Sequence, residues 1–365
     1  MQQTMRDAMR LIGAGDLNAA TAAIRQGLSG LAPPSRAHAT PSAAPGPYIE
    51  ADFRVLADAD AIAPEREPAP AAPPNMQRMR TGTFTSAAGT RDYLVYAPST
   101  SPLRPSPLLL MLHGCTQNAE DFARGTRMHL RAASEDYVVV YPVQCVRSNA
   151  NGCWNWFRTP DRQRDTGEAA LLAGLVAEMT RRYSCDPRRV YVAGLSAGGA
   201  MAVTLGRVYP DVFGAVGVHS GLPHACAHDV PSALAAMRKG AKQASPTVTA
   251  EGTSALVPTI VFHGDRDQTV DISNATRVVA DAMGGPRQHG AAEGWSETVT
   301  TGRVAGGYEF TTTSARDTSG KLKVESWVIH GGGHAWYGGS PGGTFTDAKG
   351  PDATAEMLRF FRSVA

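Results

Sequence analysis

The 365-residue chain lacks an excess of either charge: 35 Lys and Arg face 33 Asp and Glu, and no dense basic block occurs. Electrostatics therefore leave no footprint for nucleic acid or an anionic membrane surface. Long apolar runs are also missing. The best segments, such as Leu108 to Leu112, fall far short of the roughly 18 residues that a membrane-spanning helix needs. Cysteine is scarce, and five residues are too few and too scattered for a disulfide scaffold. No CxxC or Cys/His cluster suggests structural zinc. The odd count leaves at least one thiol unpaired within a monomer. Cys145 and Cys153 flank a short polar loop that a bridge could close, and a Cys185 to Cys226 bridge is a second arrangement left open, since spacing does not fix connectivity. The opening MQQTMRDAMRLIGAGD has no uninterrupted apolar stretch leading to a cleavage site. A cytoplasmic location with reduced cysteines is expected on that ground, with an extracellular one as the alternative.

What is present is the composition of a loop-rich globular protein, with 38 Gly and 25 Pro set among 42% hydrophobic residues. Three regions differ in texture. Over residues 1–32, Met5, Met9 and Ile12, then Leu17, Ala20, Ile24 and Leu28, keep helical spacing. Gly13, Gly15 and a capping Asp16 interrupt them, so a helical hairpin is expected. Residues 33–75 are dominated by Ala, Pro and Ser, too little apolar surface to offset the entropy of ordering, and read as a disordered linker. From residue 76 to 365, apolar runs alternate with helical patterns. RTGTFTSAAGTRDYLVYAP reads as two strands around a turn. LLLMLHG, YVVVYPV, RVYVAGLS, Ala215 to His219, Thr259 to His263 and Val324 to Ile329 read as further strands. Helices are expected near Ala119 to Glu135, Gly167 to Tyr183, from Gly198, and over Asp352 to Val364. Strands alternating with helices call for a mostly parallel sheet covered on both faces, an α/β fold.

The sharpest chemical signal is GLSAGG at Gly194 to Gly199, after a strand and before a helix. That context fits a nucleophile elbow of the α/β-hydrolase type, which holds a serine, here Ser196, in a tight turn over a helix N-terminus. A serine hydroxyl is a poor nucleophile at neutral pH and needs a base, itself oriented by a third group. Downstream, TIVFHG runs into Asp265-Arg266-Asp267, and ESWVIHGGG runs into His334. The HGxxDxxV spacing favours Asp267, leaving Asp265 to bond the turn, although both lie in the same loop. His334 follows three glycines that free it to reach the serine, whereas His330, at the strand end, reads as a buried, satisfied histidine. Backbone N–H groups of Ala197 and of Cys115, in LMLHGCTQN, are placed to hold an oxyanion. His113 reads as a residue that packs and bonds this loop. Trp154, Trp156 and Trp336 are candidates for an apolar substrate wall. This chemistry calls for no metal or cofactor.

Together LHGCTQN, CWNWF, GLSAGGAM, HSGLPHACAHDVPSALAAM, FHGDRDQTV and HGGGHAW resemble the esterase family of polyhydroxybutyrate depolymerases, whose relatives include feruloyl and acetylxylan esterases. The resemblance covers roughly Met79 to the C-terminus. It implies a triad of Ser196, Asp267 and His334, with Cys115 in the oxyanion loop. It implies in turn a carboxylic ester hydrolase whose partner is a small or oligomeric ester, such as a short hydroxyalkanoate. Feruloyl or acetylxylan-type esters are the alternative substrates. A hydrolase scaffold retained only for binding would have no need of the complete Ser, Asp and His set. The secreted depolymerases also carry a signal peptide and a C-terminal substrate-binding domain, which are not read here, so oligomers are expected rather than crystalline polymer.

Overall fold

The computed structural model describes residues 79–98, 104–241, 256–285 and 294–365. The expected helical hairpin and linker lie outside them. In chain order the elements are β1 (Met79–Ser86), β2 (Gly89–Tyr96), β3 (Leu108–Leu112), α1 (Ala119–Thr126), α2 (Met128–Ala132), β4 (Val138–Pro142), α3 (Gly167–Arg182), β5 (Val190–Leu195) and α4 (Ala197–Val208). They continue with β6 (Ala215–His219), α5 (Val230–Lys239), β7 (Thr259–Gly264), α6 (Ser273–Ala282), β8 (Ser296–Arg303), β9 (Glu309–Arg316), β10 (Leu322–His330), β11 (Trp336–Tyr337), β12 (Thr346–Asp347) and α7 (Ala353–Val364).

Ten strands form one sheet in the order β1-β2-β4-β3-β5-β6-β7-β10-β9-β8. The six central strands, β4 to β10, pair in parallel. Antiparallel pairs extend the sheet on both sides. Parallel strands buried on both faces must be apolar throughout, and β3, β4 and β5 are buried at every position. Alternate side chains supply two cores. Leu108, Leu110, Leu112, Val190 and Val192 pack with Leu172, Met201 and Leu205 from α3 and α4, together with residues of α5 and α6. Leu109, Met111, Tyr191 and Ala193 pack against Phe122, Met357, Phe360 and Phe361 from α1 and α7.

The single helix expected over Ala119 to Glu135 is broken. Arg127 adopts φ 50, a left-handed conformation that ends α1 and starts α2. The β8–β9 hairpin was not expected. Its β8 strand is exposed at nearly every position, so it carries none of the apolar pattern from which a strand is read.

Candidate active site

Four loops leave the C-terminal ends of β3, β5, β7 and β10, which lie close together in the sheet. In open α/β sheets this edge is where ligands bind. Each loop carries one of the residues singled out by the sequence.

Ser196 alone forms the turn between β5 and α4, at φ 58 and ψ −119. Such a backbone costs on the order of 1–3 kcal/mol in a non-glycine residue and persists only when its surroundings impose it. The neighbouring glycines show how. A Cβ on Gly198 would fall 2.1 Å from the Leu112 carbonyl oxygen, and one on Gly194 would fall 2.4 Å from the Gly198 carbonyl carbon. Only bare backbone lets strand, turn and helix approach this closely. The serine is 7% exposed and stands on the N-terminus of α4, where the helix dipole favours negative charge.

Asp267 and His334 meet. The His334 Nδ1–H donates to Asp267 Oδ2 at 2.7 Å. A carboxylate only accepts, so this bond puts the ring proton on Nδ1 and leaves the Nε2 lone pair free. The Asp267 side chain is wholly buried and that of His334 is 10% exposed. Burial alone would raise the Asp267 carboxyl. The hydrogen bond from His334, with the Val270 N–H, outweighs it and holds the group below the usual carboxylate range. The other oxygen, Oδ1, accepts from the N–H groups of Thr269 at 2.9 Å and Val270 at 2.8 Å. Among the described residues no hydrogen bond joins Ser196 Oγ to His334 Nε2. Such contacts are often long before substrate binds.

Asp265 takes a separate partner, as its Oδ2 accepts from His330 Nδ1 at 3.0 Å and its Oδ1 from Gly331 N–H at 2.7 Å. The expectation of a buried His330 is corrected. Its side chain is 41% exposed, because it is the last residue of β10, still paired with Glu309 of β9, and its ring bonds Asp265 and Thr311 at the rim of the sheet.

The β3 loop lies against the elbow, and a Cβ on Gly114 would sit 3.6 Å from Ser196 Cβ. In this loop Gly114 N–H donates to Gln117 Oε1 at 3.0 Å, and Thr116 N–H to the Asn151 carbonyl at 2.8 Å. Between them Cys115 N–H has no partner among the described residues, and neither does Ala197 N–H. His113 packs as expected: Nδ1–H donates to the Gly114 carbonyl, and Nε2 accepts from Gln144 N–H. Burial pushes its pKa down to about 4.

Cysteine pairing departs from both arrangements left open by the sequence. Cys115 is bonded to Cys153, while Cys145, Cys185 and Cys226 are free thiols. The loop after β4 folds back over the β3 loop and brings the two together. Buried Glu168 anchors this fold-back, accepting from Arg91 at 2.9 Å, Gln144 at 2.5 Å and Asn155 N–H at 2.7 Å.

Trp154 and Trp336 do not form a wall. Trp154 and Trp336 have no exposed surface and Trp156 retains 4%. The Trp154 indole donates to the His113 carbonyl and that of Trp336 to Thr354 Oγ1. Trp336 packs on Phe122 and His219. A buried indole with its N–H satisfied is core.

Two further histidines, at the ends of expected strands, support the site. The His219 carbonyl accepts from Ser196 N–H at 2.9 Å, and its ring Nε2 accepts from Tyr337 N–H at 3.1 Å. It thereby ties the elbow to the loop that carries His334. His263 donates from Nε2 to the Val270 carbonyl at 2.8 Å and lies 3.5 Å from Asp267 Oδ2. Burial, which outweighs the Val270 bond, lowers its pKa and keeps the ring neutral. No sequence signal separates these histidines from ordinary core residues, since their partners are distant in the chain.

Residues 91–290 match the family described as Esterase PHB depolymerase. Poly(3-hydroxyalkanoate) depolymerase C of Paucimonas lemoignei is 32% identical over 263 residues, covering 70% of this chain and 61% of that protein. Poly(3-hydroxybutyrate) depolymerase of Ralstonia pickettii is 28% identical over 265 residues, covering 68% and 52% respectively. The chain thus spans less than two thirds of the length of either relative. Acetyl xylan esterase from Aspergillus awamori, at 16% identity, superposes with a TM-score of 0.58 over 78% of this chain and 99% of that one. The fold is shared, and it is that of the α/β-hydrolases.

Proposed function

The chain belongs to the Esterase PHB depolymerase family, and from that premise we propose that it is a serine esterase acting through an acyl-enzyme. Ser196 Oγ attacks the ester carbonyl carbon while His334 Nε2 takes the hydroxyl proton. The N–H groups of Cys115 and Ala197 hold the oxyanion. Collapse breaks the bond to the alcohol oxygen, which leaves with the proton from His334. Water then attacks the acyl-enzyme by the same route and releases the acid.

The observation that carries this reading is the 2.7 Å bond from His334 Nδ1–H to the buried Asp267, because it fixes the tautomer whose Nε2 is a base. Short hydroxyalkanoate oligomers or related polyesters are the substrates we favour, in line with what the two depolymerase relatives are named for. The Cys115–Cys153 disulfide favours an oxidising compartment over the cytoplasm expected from the N-terminal residues.

Replacing Ser196 by Ala should abolish hydrolysis of a short-chain p-nitrophenyl ester, and labelling by a fluorophosphonate, without loss of fold. Turnover unchanged in that variant would reject the mechanism. Hydroxybutyrate oligomers assayed beside methyl ferulate separate the polyester reading from a feruloyl one.

A further inference from the structure

Most apolar side chains near the site are in the core, and Phe345 is the exception. It is 45% exposed, the one aromatic among the exposed large hydrophobics of the described residues. Its ring stands edge to face with His334 at a centroid distance of 6.4 Å. Its backbone has φ 50, a conformation that bulky residues rarely adopt unless the neighbours impose it.

Those neighbours are held on both sides. Before it, Thr344 donates from N–H to Asp121 Oδ1 at 3.0 Å and from Oγ1 to Asp121 Oδ2 at 2.5 Å, and its carbonyl accepts from Gln117 Nε2 at 3.0 Å. After it, Thr346 pairs with Trp336 in the β11–β12 ladder, and the Phe345 carbonyl itself accepts from Trp336 N–H at 2.7 Å. Gln117 also fixes Gly114 through Oε1. One glutamine therefore couples the oxyanion loop to the segment that presents Phe345. A left-handed backbone, clamped at both flanks, that points a large apolar ring into solvent beside a histidine gains nothing for the core. A ligand would gain from it.

We propose that Phe345 is a specificity-determining residue that contacts the alcohol portion of the ester, and that the protein prefers esters whose alcohol is apolar and bulky enough to reach the ring. The inference rests on the esterase reading above and extends it. Chemistry decides which half of the substrate is involved. His334 Nε2 must return its proton to the leaving oxygen, so the alcohol departs on the imidazole side, where Phe345 stands. The acyl group remains on Ser196 and extends away from it.

The test uses the full chain with Phe345→Gly, which suits the left-handed backbone, and Phe345→Leu, which keeps apolar bulk. Two ester series are compared: butyrates of methanol, 1-butanol and benzyl alcohol, and methyl esters of acetate, butyrate and hexanoate. With the acyl group held constant, deacylation is common to all alcohols, so kcat/KM carries the identity of the alcohol. In Phe345→Gly the ratio of kcat/KM for the benzyl over the methyl ester should fall about fivefold to tenfold, the worth of one aromatic contact. Phe345→Leu should recover part of that loss, and the acyl series should be unmoved. An unchanged alcohol ratio, or a change confined to the acyl series, overturns the proposal. Fluorophosphonate labelling of Ser196 runs alongside. An unlabelled parent protein brings down the esterase reading and this one with it, whereas a labelled protein with unchanged alcohol ratios brings down this one alone.

Discussion

Two aspartates two positions apart in one loop have taken different histidines. Asp267 is buried and bonded to His334, while Asp265 is partly exposed and bonded to His330. The consequence is testable residue by residue. An amide at position 267 can offer its N–H2 to Nδ1 and so reverse the tautomer, leaving Nε2 protonated and useless as a base. Asp267→Asn should lower kcat by about 10³- to 10⁴-fold with an unchanged circular dichroism spectrum. Asp265→Asn, acting on a solvent-facing pair, should stay within a few-fold of the parent. Equal losses in the two variants would mean that the acid has been misassigned. The spacing of the loop pointed to Asp267, but the sequence held no feature that paired Asp265 with His330.

The junction of β5 and α4 is legible because its constraint is local. Gly194 and Gly198 lie within two residues of Ser196 on either side, and both are needed for the close approach of the two elements. Gly198→Ala would drive a methyl group into the backbone of β3, which cannot yield without moving a central strand. The variant should lose about 3 kcal/mol or more of stability, the upper range for overpacking. A urea midpoint within error of the parent would contradict the packing described. Elsewhere, elements escaped the sequence for identifiable reasons. β8 is polar on both faces and gains order only by pairing with β9. α5 did carry a start signal, with Asp229 capping Ser232 N–H and Pro231 in the first turn, but its few buried side chains made a faint apolar stripe. The break after α1 depends on Arg127 taking a left-handed conformation, which no rule of composition assigns to arginine.

At the scale of the whole molecule, several histidines are buried in neutral form. Burial brings the pKa of His113 and His129 down to about 4 from an ordinary 6.5, and that of His219 well below its usual range. Between those two values the unfolded chain binds protons that the folded protein refuses, so stability is full above pH 6.5 and declines as pH falls toward 4. For His113 and His129 this amounts to something on the order of 3 kcal/mol each, a large part of what a domain possesses. Asp267 and Asp121, held low in the folded state, add their loss only on further acidification, at and below the ordinary carboxylate range. The urea midpoint should therefore drop steeply between pH 6.5 and 4.5, before the carboxylates titrate. A flat profile across that interval would show that these rings are hydrated or charged in the folded protein.

The residue order alone determined the sheet-and-helix alternation, the elbow serine and the histidine after its glycines. Each of these is written in a short window, as a period of apolar side chains or a run of small residues, and short windows act through local sterics. Only the tertiary structure decided that Cys115 pairs with Cys153, that Trp154 and Trp336 are core, that His219 and His263 brace the site, and that Phe345 stands beside His334. These outcomes depend on which distant segments the sheet order brings into contact. Contact across the sheet is set by the packing of the whole chain, which leaves no mark at the positions that meet.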